Sequence, residues 1–125
     1  MDEYAKNRLK SILMDYHVGQ VKAIHKDELL NEVFGSVALI DKSNNNIYDR
    51  SMRAMIEHIN TKESGMICSD PSCGYWWAAS LSDGLPAAQK LLDRASTQRA
   101  NAQELIDNMR HHFGGQLDFM HGGKG

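Results

Sequence analysis

Between residues 3 and 16 the apolar side chains Tyr4, Leu9, Ile12, Leu13 and Tyr16 recur at helical spacing with Lys6, Arg8 and Lys10 between them. That stripe predicts an amphipathic helix, which Gly19 ends. Gln20-Val21-Lys22-Ala23-Ile24 alternates polar and apolar residues and predicts a half-buried strand able to pair with a later hairpin. A second helix is expected over Lys26–Phe34, with Leu29, Leu30, Val33 and Phe34 inward and Asp27 and Glu28 in its first turn, where carboxylates suit the helix dipole. After Gly35 comes a connector, Ser36 to Asn46, holding the apolar patch Val37–Ile40 and the polar turn-former cluster Lys42–Asn46.

The third helix has the clearest pattern. Asp49 is the expected cap, Met52, Met55, Ile56 and Ile59 fall on one side, and Arg50, Ser51, Arg53, Ala54, Glu57 and His58 on the other. Met66–Ser69 and Tyr75–Ala78 are β-favouring runs around the turn-rich Asp70-Pro71-Ser72-Cys73-Gly74, which predicts a hairpin. Trp76 and Trp77 should face opposite sides of its second strand, one in the core and the other toward solvent or a second surface or, the favoured reading given how much area an indole buries, covered by the long C-terminal helix. A single long helix is then expected from Leu85 to His112, with Pro86 near its first turn. Its residues Leu85, Ala88, Leu92, Ala95, Arg99, Ala102, Ile106 and Met109 alternate spacings of three and four, the repeat of a helix seam. The seam has two readings, packing along the chain's own domain or a two-fold coiled coil; one helix of that length outruns a small domain, which favours a homodimer through Leu85, Ala88, Leu92, Ala95, Ala102, Ile106 and Met109. The glycine-rich stretch 114–125 has no periodicity and is expected to be a mobile tail.

From about Lys6 to Ala79 the order helix, short strand, helix, helix, hairpin resembles winged helix-turn-helix domains of bacterial and phage regulators and replication-associated proteins. The most specific stretches are Ile47–Ile59, Gly65-Met66-Ile67-Cys68 and Gly74-Tyr75-Trp76-Trp77-Ala78. The resemblance implies an α+β, mainly helical fold, with a winged domain over 1–80 and the long helix over 84–113. It also implies double-stranded DNA as partner, with the third helix in the major groove, where arginines read guanine edges. Carried over position by position, it assigns DNA contacts to Lys26, Tyr48, Arg50, Ser51, Arg53, Lys62, Ser69 and Ser72. One departure stands out: about a dozen residues separate the second and third helices, where a helix-turn-helix has three or four.

Charge qualifies this picture. The chain has 14 basic and 16 acidic side chains, and no segment is a basic arm, so any phosphate-binding face must arise from arrangement in space. The same balance supports a rival expectation, a winged-helix module that contacts protein. Arg53 and Glu57 also stand four apart, the spacing of an ordinary solvated ion pair. Cys68 and Cys73 lack the second pair or the His partners of a zinc signature and are expected to be reduced thiols. His111, His112, His121 and Asp118 lie in or beside a glycine-rich stretch that offers a metal no fixed geometry. With no catalytic constellation and no phosphate-cradling loop, the expectation is a cytoplasmic, non-enzymatic regulator or replication factor without cofactor or metal.

Overall fold

A computed structural model describes residues 2–43, 46–93 and 99–114. Among them are five α-helices and one antiparallel hairpin, an α+β, mainly helical architecture. Helix α1 runs Glu3–Tyr16, α2 Lys26–Phe34, α3 Ile47–Lys62, α4 Leu81–Leu92 and α5 Arg99–His112; strand β1 is Ile67–Asp70 and β2 is Gly74–Trp77. Helices α1 and α2 have the expected bounds, and α3 buries the expected Met52, Met55, Ile56 and Ile59.

The expected strand over 20–24 is not formed as such. Gln20–Lys22 is a 3-10 turn with Val21 almost fully exposed, so the alternation of side chains there does not mark a pleat. The chain instead touches the free edge of β2 on either side of that turn. Gly19 donates its amide to Trp77 at 2.8 Å, and Ile24 and Tyr75 exchange both backbone hydrogen bonds at 2.9 and 2.8 Å. Gly74 makes this crossing feasible: its φ is +106°, and a Cβ there would come closer than 3.0 Å to the Ile24 carbonyl.

The connector is tied to α3 by Asn46, which replaces Asp49 as the cap. Its Oδ1 accepts from the amides of Tyr48 (2.8 Å) and Asp49 (3.2 Å), while its Nδ2 donates to the carbonyls of Ala38 (2.8 Å) and Asp41 (2.7 Å). Asp49 thus sits inside the first turn, where its charge still suits the dipole.

The long helix is two helices that pack on each other, with α5 also lying against α3. Helix α4 begins at Leu81, capped by Ser80, so Pro86 is inside it rather than near its start. The would-be dimer seam is consumed in the chain's own core: Ala88, Ala102, Ile106 and Met109 are buried, and Leu85 and Leu92 pack partly against that core. Ala95 and the Arg99 side chain lie outside the described residues, as does most of the expected tail. Small residues allow the close approach, since a Cβ on Gly84 would meet Met109 and Ala78. Amides reinforce it, with Asn108 Nδ2 donating to the Asn60 and Gly65 carbonyls at 2.6 and 2.9 Å. Asn60 in turn binds both backbone groups of Ile67 at 3.0 Å, lying along β1 like a short extra strand.

Both tryptophans are buried, in keeping with the favoured expectation that the second is covered and not left to solvent. Asp83 organises this region by accepting from the Trp76 indole at 3.1 Å, the Ala79 amide at 3.1 Å and the Gln20 amide at 3.0 Å. No described helix is long and apolar enough to cross a membrane.

Candidate nucleic-acid interface

The N-terminus of α2, the first half of α3 and the hairpin together line a cleft of about 680 Å³. Its walls bring together three of the residues singled out in the sequence, Lys26, Arg53 and Ser69, with His25, Asp27, Asp49, Asp70 and Tyr75 around them. The helix start at α2 has no side-chain cap, because His25 at the capping position accepts no hydrogen bond from the first turn. Its amides and Lys26 therefore present positive character to the cleft.

The other candidates are dispersed. Arg50 and Lys62 are exposed on α3 but do not line the cleft, and Ser51 is half-buried. Tyr48 is structural: its ring packs on Phe34 at 5.3 Å with planes inclined by 53°. Ser72 is engaged within the hairpin turn, donating its amide (2.9 Å) and hydroxyl (2.6 Å) to Asp70.

Three carboxylates temper the cleft's basicity. Asp70 is buried and paired with Lys90 of α4, and that hydrogen bond, followed by those from Ser72, holds its carboxyl well below the usual carboxylate range. Asp49 is mostly buried, with Oδ2 at 3.6 Å from Arg53 Nε and 4.0 Å from Lys26 Nζ, and its Oδ1 has no hydrogen-bond partner among the described residues. A carboxylate withdrawn from water and served by two half-exposed cations at long range is incompletely compensated. Asp27 adds a third negative charge at the rim.

A second charged cluster fastens α1 to the end of α3. Glu63 bridges the buried Lys6 and, at 3.2 Å, Lys10, with His58 Nε2 at 3.4 Å. The hydrogen bond between Lys6 and Glu63 raises the lysine's pKa and lowers the glutamate's. It clamps two helices and does not line the cleft.

Sequence reasoning missed Asn46, Asn60, Asp83 and the pairing of Asp70 with Lys90. The only local signal was Asn46 ahead of an apolar-periodic run; the other partners lie from 4 to 63 residues apart in sequence. Among the described residues no group of three or more His, Cys, Asp or Glu side chains is arranged to hold a metal, and Cys68 and Cys73 are free. Burial raises the Cys68 thiol pKa far above its usual value, which keeps it in the unreactive protonated form. Compared with known protein families, curated proteins and solved structures, the chain matches none.

Proposed function

We propose that this chain is a winged-helix domain that binds double-stranded DNA without catalysing a reaction, with α3 as the element entering the major groove. The observation that carries the proposal is the position of Ile24. It pairs with Tyr75 on the free edge of β2, so the segment between α1 and α2 joins the hairpin in the order Ile24, β2, β1. A helix-rich domain whose segment between the first two helices bridges the edge of a later hairpin in this way resembles the plan of a winged helix, with a single bridge where that plan has a short strand. On that plan the cleft-forming parts are the duplex-facing ones: Lys26 and the uncapped start of α2 meet backbone phosphate, and the exposed flank of α3 with Arg50 and Arg53 meets the groove. The buried seam leaves the apolar faces of α4 and α5 committed to the domain's own core, so the proposal does not include a two-fold pair through those residues.

A second reading, a protein-contacting winged helix, draws on Asp27, Asp49 and Asp70 in the same cleft, which suit a basic or hydrogen-bond-donating protein surface. Fluorescence anisotropy with mixed genomic duplex fragments, repeated across salt concentrations, separates the two. Lys26, Arg50 and Lys62 offer three phosphate neighbours, so log K is expected to fall against log salt with a slope of about −3. Absent binding, or binding indifferent to salt, rejects DNA as the partner and leaves the protein-contacting reading.

A further inference from the structure

We infer that the two exposed arginines of α3 have separate tasks: Arg53, positioned by Asp49, discriminates base sequence, while Arg50 anchors backbone phosphate without reading sequence. The inference rests on the DNA-binding reading above and adds to it a division of labour set by side-chain surroundings.

Arg53 projects from the cleft wall, between the start of α2 and the hairpin. Its Nε side is turned to Asp49 Oδ2 at 3.6 Å, and Asp49 is one turn earlier on the same helix, the order in which an acid and a base attract best. Asp49 is itself fixed, mostly buried within the first turn with its amide donated to Asn46. A guanidinium has five N–H donors in a planar fork, so pairing along the Nε side leaves the terminal amino pair to face outward. That pair has the bidentate geometry that matches O6 and N7 of guanine.

Arg50 differs in each respect. It is exposed and does not line the cleft, and its side chain, unlike its backbone amide, makes no ion pair or hydrogen bond among the described residues. Such a side chain loses its rotamer freedom only on binding, and a phosphate accepts it from many directions. Asp49 also offsets part of the guanidinium's charge at Arg53, the nearer of its two cations, whereas Arg50 keeps its full charge for phosphate. The same carboxylate that orients Arg53 therefore makes Arg50 the better phosphate anchor of the two.

The test begins by enriching a preferred sequence from a randomised duplex pool with the full parent chain. Affinity for the enriched duplex and for a scrambled one is then measured across salt. Arg53→Ala and Arg53→Lys should both reduce the enriched-to-scrambled ratio by about tenfold or more, with Arg53→Lys keeping the parent salt slope because its charge remains. Arg50→Ala should leave the ratio within about twofold and make the slope shallower by about one, restored by Arg50→Lys. Asp49→Asn should lower the ratio by about two- to threefold while tightening binding to scrambled DNA, since a helix ion pair of this kind is worth a factor of that order. Loss of fold alone does not produce that opposed pair of changes. An Arg53→Lys variant with the parent ratio, an Arg50→Ala variant that loses as much ratio as Arg53→Ala, or an Asp49→Asn variant with an unchanged ratio overturns the inference. A parent chain that binds with salt dependence but enriches no sequence overturns it while sparing DNA binding itself; a parent chain with no salt-dependent binding rejects both.

Discussion

Where α4 meets α5, glycine and alanine let the helices approach until Met109 fills the space beside Gly84, and the neighbours are Ala78, Ala88, Leu105 and Ile106. Where α2 meets α3 and the hairpin, the neighbours are Lys26, Asp27, Asp49, Arg53 and Asp70, and one Asp49 oxygen has no hydrogen-bond partner among the described residues. The first region is completed by the chain itself, with its apolar surface removed from water and its amides paired. The second is concave, charged on both signs and incompletely compensated, which is the usual condition of a surface kept for another molecule. An apolar seam in a sequence thus need not be an interface, while an imperfect polar cleft is a better place to look for one.

Three measurements bear on this contrast, in falling order of effect. Leu105 is fully buried in α5. Leu105→Ala should cost about 3 kcal/mol by urea denaturation, against about 0.5 kcal/mol or less for Arg53→Ala; equal losses would erase the distinction between a structural end and a binding end. Acid comes next. The carboxyls of Asp70 and Glu63 are held below their ordinary values, chiefly by hydrogen bonds from Lys90 and Lys6. Groups with depressed folded-state values stabilise the fold above an unfolded value of about 4 and lose that contribution as pH falls through the folded value. Stability should therefore decline on acidification below about pH 4, and Asp70→Asn should flatten part of that decline; an unchanged acid limb would show that the Asp70–Lys90 pair does not hold the hairpin to α4. Smallest and opposite in sign is Ser64→Gly. Ser64 follows α3 with φ at +56°, a conformation in which glycine pays no steric penalty. The substitution should stabilise by about 0.5–1 kcal/mol, seen as a higher melting temperature; a loss would mean that the Ser64 side chain contributes more than its strained backbone costs.

How much the sequence disclosed depended on whether the deciding contact was local. Helices α1 and α2 were legible to the residue because their stripes and bounding glycines lie within a few positions of one another. The start of α3 was misread by one role: Asn46 looked like part of a polar loop, and only its reach back to Ala38 and Asp41 makes it the cap. The break between α4 and α5 had no local marker, since residues 93–99 contain neither glycine nor proline and seam spacing continues across them. Two helices folded against each other and one long helix carry the same three-and-four repeat. In the cleft, Lys26, Arg53 and Ser69 were legible from residue type and position on their elements. The pairing of Arg53 with Asp49 was within reach of the four-residue spacing rule, which points equally to Glu57. The approach of Lys26 to Asp49 and the neutralising of Asp70 by Lys90, 20 residues away, were not legible, because no spacing rule links residues on different elements.

Asn60 has one more effect. By occupying the N–H and C=O of Ile67, its side chain shuts the outer rim of β1 at the point where an incoming polypeptide would begin to zip on. The short hairpin is thereby shielded from recruiting a foreign strand there and from seeding fibrils, an insurance against misassembly supplied by one carboxamide.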